Sequence, residues 1–326
     1  MEADLLKREG IAYTGIPAAG LHGVGPRALP RNLLQLARGL IASHQILERF
    51  QPDVLFFTGG FVAGPMAIAA RLRTKRVPIL LYVPDIEPGL ALKLLARFAD
   101  RIAVTASDSQ AYFGRKVTVT GYPVRDSFSK WTRENGRSTL GLRADLPVLL
   151  AAGGSKGART INMAVISHLP ALLALTQVVH VTGQPDWESA QANLRRLTPA
   201  QRERYKVFAY LHEEMGAALA AADLVVARAG ASSLGEFPFF GLPAILVPYP
   251  HAWRYQRINA EYLRRHLAAT VVQDDSLDRE LLTLVKDLLG NPAEREAMRS
   301  AMRSLAQLRA AGELAAQLLA LGGGRS

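Results

Sequence analysis

The sequence predicts an α/β protein of two Rossmann-like, doubly wound domains facing one another across a cleft. Three observations carry this reading. Short apolar runs of the kind that fill buried parallel strands recur along the chain, among them 53–58 (DVLFFT), 77–83 (VPILLYV), 148–152 (VLLAA) and Leu224-Val225-Val226. Glycine-bearing loops follow three of these runs, at 59–65, 153–157 and 229–233, and each loop leads into helical sequence. The length, 326 residues, suits about two ordinary domains, each able to bury a core.

Taken in order, residues 1–8 read as the end of a helix broken at Gly10, and 11–14 (IAYT) as a strand. Apolar residues at helical spacing, Leu33, Leu36, Leu40, Ile41 and Leu47, place a helix over 31–50. Strand 53–58, helix 65–73, strand 77–83, a helix over about 89–98 and strands 102–105 and 117–120 complete the first half. Residues 126–146 lose strand periodicity and gain turn residues, which predicts an interdomain linker and domains of 1–130 and 131–326. Further strands are expected at 177–182, 206–209, 223–227, 243–248 and 269–272. Asn291-Pro292-Ala293-Glu294 marks a helix start, with Asn as N-cap and Pro at the first position. Apolar residues recur at Leu314, Leu318 and Leu321 until Gly322, predicting a last helix that packs back on the first domain.

Composition narrows the function. Hydrophobic residues at 49% and charged residues at 21% describe a folded chain. No apolar run reaches the roughly 18 residues of a membrane-spanning helix. The first ten residues lack the apolar segment of a signal peptide, so a cytoplasmic site is expected. The absence of cysteine excludes a thiolate nucleophile. The net charge of +11 fits an anionic membrane surface or a phosphorylated substrate. Its basic clusters, at 71–76 and 264–265, are not interleaved with aromatics, so no nucleic-acid partner is predicted. His44, His168, His180 and His266 fall in helices or a strand and read as structural. No histidine pair has metal-ligand spacing with a third ligand nearby; neither a metal nor a cofactor is predicted.

One stretch organises the rest. Residues 223–259 read as strand, small-residue turn, short helix, strand and polar loop. Ala229 to Ser233 allow close approach of a backbone to a ligand and open a helix whose unpaired N–H groups suit a diphosphate. Glu236 then lies where a carboxylate accepts hydrogen bonds from a ribose. Gly153, Gly154, Ser155, Lys156 and Gly157 form a second phosphate-type loop that fits neither GxGxxG nor the P-loop pattern; a plain turn needing positive φ explains it equally well. Arg125, closing Gly121-Tyr122-Pro123-Val124-Arg125, points toward the cleft, where its fork suits a diphosphate. Gln256 and Asn259 share a helical face and carry amides suited to sugar hydroxyls.

Together, GGFVAGP at 59–65, GYPVR at 121–125, GGSKGA at 153–158, ARAGASSLGE at 227–236, GLPAILVPYPH at 241–251 and Gln256 to Asn259 resemble the MurG-type family. That family transfers N-acetylglucosamine from UDP-N-acetylglucosamine to a lipid-linked muramyl-pentapeptide. The resemblance implies a two-domain glycosyltransferase fold with the nucleotide sugar bound by the second domain. It places Arg125 and Ser155 on the diphosphate, and Ala231, Ser232, Ser233, Leu234, Gly235 and Glu236 around phosphate and ribose, with Gly230 in the phosphate loop. It puts the His212 backbone on uracil and Gln256 on the sugar, with Asn259 in support. Gly59, Gly60 and Gly64 fall on the acceptor side, against a lipid-linked acceptor on the cytoplasmic face of the membrane.

Three departures from the family pattern stand out. The family's first strand and GGTGGH-type loop, with its candidate general-base histidine, have no counterpart, so the first domain is expected to be N-terminally truncated. The HEQN segment is Tyr82-Val83-Pro84-Asp85, and a Gln-Gln pair is Tyr255-Gln256. Asp85 and His22 are the substitute candidates for the base. Other readings stay open: a UDP-sugar-binding partner subunit without catalysis, a related glycolipid glycosyltransferase, or a nucleotide-sugar epimerase.

Overall fold

Parallel strands buried on both faces need two apolar rows, because successive side chains alternate across the sheet. The computed structural model describes residues 6–7, 10–18, 29–60, 62–114, 117–154, 157–251 and 254–323, and both halves of the chain are built this way. The first half forms a parallel sheet in the order β1-β2-β3-β4, with β1 Leu55–Phe57, β2 Ile79–Val83, β3 Arg101–Val104 and β4 Val117–Val119. Ile79, Leu81 and Val83 share one core with Ile102 and Val104, whereas Leu80, Tyr82 and Ala103 point to the other face. Helices α1 (Leu29–Phe50), α2 (Ala63–Leu72) and α3 (Leu90–Leu95) cover the first face through Leu47, Ala63, Ala67, Ala70, Leu92 and Leu95.

The second half opens with α4 (Arg133–Thr139) and forms a six-stranded parallel sheet in the order β10-β9-β8-β5-β6-β7. Its elements run β5 Val148–Ala152, α5 Arg159–Ser167, α6 Leu169–Leu175, β6 Gln177–Val181, α7 Trp187–Leu194, α8 Pro199–Arg204 and β7 Tyr205–Phe208. They continue through α9 Glu214–Ala221, β8 Leu224–Ala227, α10 Glu236–Phe240, β9 Ala244–Leu246, α11 Tyr255–Arg265 and β10 Ala269–Val271. Val148, Leu150, Val225 and Ala227 enter one core, and Leu149, Ala151, Leu224 and Val226 the other. Read from β7, the order is the doubly wound 3-2-1-4-5-6, whose topological switch point lies between β5 and β8.

Three helices follow: α12 (Leu277–Gly290), α13 (Pro292–Ser304) and α14 (Ala310–Gly322). The side chain of Asn291 accepts from the Glu294 N–H, with Pro292 at the first position of α13, as the sequence predicts. Helix α14 returns to the first sheet, where Leu314, Leu318 and Leu321 meet Leu80, Tyr82 and Ala103. Arg101 also donates to Gln317 at 2.9 Å.

The helix expected over 31–50 is present as α1, with Leu40 and Leu47 facing inward and Leu33 and Ile41 52% and 60% exposed. The structure departs from the sequence reading in two places. Residues 11–14 form no strand, with Ile11 and Tyr13 more than half exposed. Residues 126–146 are packed structure instead of a linker. Phe128 is buried against Phe239 and Phe240, and α4 lies on α9 so closely that a Cβ at Gly136 would sit 2.5 Å from the Ala217 carbonyl. Buried Asp223 ties the segment down, accepting from Arg133 at 2.5 Å, Arg137 at 2.8 Å and the Val148 N–H at 2.9 Å. An ion pair and small residues carry no apolar periodicity, which is why this packing looks like loop in the sequence.

Candidate active site

Ala152, Val181, Ala227 and Leu246 are register partners at the carboxyl edge of the second sheet, so the loops after β5, β6, β8 and β9 leave together. The 153–157 and 228–235 loops flank the switch point, the position where doubly wound sheets open a binding crevice. Gly153 and Gly157 are demanded by the chain itself. A Cβ on Gly153 would lie 2.2 Å from the Ala158 nitrogen, and one on Gly157 would lie 2.5 Å from the Thr182 carbonyl oxygen. Gly154 turns the loop at φ +78. Ser155 and Lys156 lie outside the described residues. Gly230 differs: its φ is −67 and nothing stands within 4 Å of an added Cβ. The fold does not require glycine there, so a small residue keeps open space above the loop.

After Gly230 the chain forms a 3₁₀ turn, Ala231–Leu234, and then the five-residue α10, in place of one longer helix. The field at this end is therefore that of a turn's N–H groups, with little macrodipole behind it. The Ser233 hydroxyl donates to the Gly230 carbonyl at 2.5 Å, which closes the turn and buries the side chain. Leu234 is core, and Gly235 lies against the Tyr122 ring, where a Cβ would come within 2.5 Å. Ala231, Ser232 and Glu236 keep partial access.

Glu236, first residue of α10, has its pKa shifted up to about 7 by burial, with Arg125 acting in the opposite direction. Tyr122 is pushed up to about 12 by burial and by the nearby charges of Glu236 and Asp85. Arg125 donates to the His212 carbonyl at 3.2 Å, which brings two of the sequence-assigned nucleotide residues together. The arginine is also 5.8 Å from the Phe128 ring centroid. The tyrosine hydroxyl of Tyr82 bonds Thr105 at 2.9 Å and donates to the Gly121 carbonyl at 3.2 Å, bracing the strand end from which Tyr122 and Arg125 project. Thr105 in turn donates to the Pro84 carbonyl at 2.7 Å, next to Asp85.

Asp85 follows the carboxyl end of β2, and burial raises its pKa above the usual carboxylate value while a hydrogen bond from Asn259 offsets part of the shift. Asn259 is fully buried and engaged on every side. Its Nδ2 donates to Asp85 at 2.8 Å and to the Ala229 carbonyl at 3.1 Å, and its Oδ1 accepts from the Ile86 N–H at 3.1 Å. The sugar contact expected of its amide gives way to a bridge between the domains. Gln256 accepts from the Tyr249 N–H at 2.8 Å through Oε1, which fixes the loop before α11. Gly59 (φ +113) and Gly60 (φ +87) turn the chain out of β1, and Gly64 sits in the first turn of α2. Beyond them a hollow of about 570 Å³ runs between Phe56, Thr58, Tyr82, Pro84 and Leu314. His22 lies outside the described residues. Buried His180, held by Tyr205 at 2.9 Å and Asn162 at 3.0 Å, is pushed down to about 3 by burial and is structural.

Known proteins match most of the chain. The glycosyltransferase family 28 C-terminal domain matches residues 148–315, and the family 28 N-terminal domain matches residues 1–104. A relative from Roseiflexus sp. (strain RS-1) is 41% identical over 97% of this chain and 80% of its own length. One from Desulfitobacterium hafniense (strain Y51) is 40% identical over 94% of this chain and 84% of its own. Both are named UDP-N-acetylglucosamine–N-acetylmuramyl-(pentapeptide) pyrophosphoryl-undecaprenol N-acetylglucosamine transferase. The crystal structure of Acinetobacter baumannii MurG superposes with a TM-score of 0.74 at 25% identity, covering 98% of this chain and 87% of that one. The chain belongs to glycosyltransferase family 28. The fold is shared more widely: the UDP-GlcNAc 2-epimerase of Neisseria meningitidis has a TM-score of 0.68 at 13% identity, covering 98% of this chain and 88% of that one. Within the family 28 frame, sequence reasoning missed Tyr122 as a neighbour of Glu236, and Glu87 with Arg254 as a contact across the cleft. A tyrosine inside the GYPVR motif was visible; a pair 167 residues apart carried no local signal.

Proposed function

We propose that this chain is an inverting glycosyltransferase that moves N-acetylglucosamine from UDP-N-acetylglucosamine to the lipid-linked muramyl-pentapeptide of peptidoglycan synthesis. The observation that carries this reading is the 41% identity, over 97% of the chain, to a relative named for that transfer. The donor lies at the switch point of the second sheet. Arg125 and the N–H groups of the 153–157 and 228–235 loops take the diphosphate, Ser155 adds a hydroxyl, Glu236 takes the ribose hydroxyls, and the His212 backbone takes uracil. Gln256 approaches the sugar through its amide nitrogen, its oxygen being engaged by Tyr249.

In the reaction an acceptor hydroxyl oxygen bonds to the anomeric carbon as the bond from that carbon to the diphosphate oxygen breaks. UDP leaves with the added negative charge, and the hydroxyl proton passes to a base. Fixed cations and N–H groups stabilise the charge that grows on the leaving diphosphate. Asp85 is the candidate base: it stands on the acceptor side, Asn259 orients one of its oxygens, and burial raises its proton affinity toward working pH. His22 is the alternative.

The acceptor is lipid-linked, and the first domain has a surface suited to a lipid interface. Leu33 and Ile41 stand two turns apart on α1 with Leu34 beside them, and Ile68 and Leu72 stand one turn apart on the adjoining α2, all more than 40% exposed. Arg31, Arg38, Lys75 and Arg76 lie in or next to these helices and supply charge for an anionic leaflet. Among the described residues no helix is long and apolar enough to cross a membrane. Product analysis tests the function. With acceptor, the sugar is expected in β linkage on the lipid; without acceptor, UDP-N-acetylglucosamine is expected to persist. Conversion to its 2-epimer without acceptor would refute transfer in favour of epimerisation.

A further inference from the structure

Two sets of contacts join the domains through side chains that no substrate role claims or exhausts. Glu87, on the 84–89 loop after β2, is only 2% exposed although it carries a carboxylate. Arg254, immediately before α11, grips it with a fork: Nε donates to Oε2 at 2.6 Å, and Nη2 donates to Oε1. Lys93 of α3 donates to the same Oε1 at 3.2 Å. Five residues beyond Arg254, Asn259 bonds Asp85 and the Ile86 N–H from the same α11. Between the two, a Cβ on Gly89 would lie 3.1 Å from the Tyr255 hydroxyl oxygen. The 85–89 loop and residues 254–259 therefore meet at three points, Glu87 with Arg254, Gly89 with Tyr255, and Asp85 and Ile86 with Asn259.

The energetics of this contact favour one relative placement. A buried carboxylate that loses its partner keeps the desolvation penalty without the attraction that offset it. An opening motion that draws α11 away from the loop leaves Glu87 facing Lys93 alone. The forked geometry of arginine fixes direction as well as distance, which a point charge does not. The hydrogen bonds from Arg254 hold the Glu87 pKa below its ordinary value, which keeps the carboxyl ionised in the neutral range.

We infer that Glu87 and Arg254 are positioning residues: their ion pair latches the loop carrying Asp85 onto the start of the helix carrying Gln256, and so fixes the register of acceptor side against donor side. The kinetic consequence rests on the transferase reading; the latch itself is a property of the two domains. Arg254 touches neither donor nor acceptor in this assignment, so its loss acts on alignment and not on donor affinity.

The chain has no cysteine, so cysteines introduced at exposed Glu48 of α1 and exposed Glu203 of α8 accept spin labels whose separation reports domain placement. Arg254→Met changes a side chain that is 61% exposed, and Glu87→Gln provides a second, independent break. Both are expected to broaden the inter-label distance distribution and to lower kcat about 10-fold or more, with KM for UDP-N-acetylglucosamine within about 3-fold of the parent. Lys93→Ala keeps the cross-domain fork and is expected to retain the narrow distribution and kcat within about 2-fold. Unchanged distributions in both Arg254→Met and Glu87→Gln would overturn the latch. A raised KM with kcat retained would overturn the positioning role and make the pair part of donor binding. A parent protein that transfers no sugar refutes the transferase reading instead, and the distance distributions then decide the latch alone.

Discussion

Glu236 is the residue at which stability and binding pull apart. Its carboxyl is half-buried and holds its proton up to about pH 7 in the folded chain, against an ordinary value of 4.5. Below 4.5 both folded and unfolded chains are protonated there, and above 7 both are ionised. Between those values only the folded chain keeps the proton, so this group's contribution to stability is full at low pH and is lost as pH rises toward 7. Glu236→Gln removes that loss. The variant should gain on the order of 1–2 kcal/mol over the parent at pH 8 and little at pH 5, measured by thermal or urea unfolding. The same change removes the acceptor proposed for ribose hydroxyls and should weaken UDP binding by about 10–100-fold in calorimetric titration, the scale of a hydrogen bond to a charged group. A variant that is neither stabilised at pH 8 nor weaker for UDP would remove Glu236 from the site. At Gly230, where an added Cβ meets open space, Gly230→Ala should leave the melting temperature within a degree or two yet weaken UDP binding several-fold. Equal UDP affinity in that variant would mean that no ligand approaches this loop.

Among the elements, α14 joins the far end of the chain to the first sheet. The first sheet's second face is covered by Leu314, Leu318 and Leu321 from the far end of the chain. Leu314→Ala should therefore cost about 2–4 kcal/mol, read by urea unfolding, and should increase proteolysis within the first domain. A loss confined to fraying of α14, with β2 and β3 still protected from hydrogen exchange, would show the helix to be an ornament on that sheet. The elements also show what a sequence displays. Strands β2, β5 and β8 are apolar on both faces, so their runs are continuous and easy to read. The N-cap at Asn291 is a local hydrogen bond and was equally legible. Segment 126–146 was not, because Phe128, Gly136 and Arg137 meet Phe239, Phe240, Ala217 and Asp223, all more than 80 residues away.

At the scale of the whole molecule, the glycine loops of the second sheet were legible because they sit at strand ends that the sequence itself marks. The interdomain half was not. Asn259 reads as a sugar ligand in a helix start, and only the folded chain shows its amide consumed by Asp85, Ile86 and Ala229. Exposure likewise separates Leu33 and Ile41 from the inward residues of α1, which helical spacing alone does not do. Binding to vesicles containing an anionic lipid should fall steeply with salt, and Leu33→Glu with Ile41→Glu should abolish it without changing UDP affinity. Equal binding of the double variant would move the membrane face elsewhere.

The central claim is that donor and acceptor meet in this cleft for sugar transfer. The direct measurement is a time course with UDP-N-acetylglucosamine labelled in its sugar and a lipid-linked muramyl-pentapeptide. Label should appear in the lipid at one equivalent per UDP released. Release of UDP with free labelled sugar, or tight UDP binding with no label in the lipid, would contradict it.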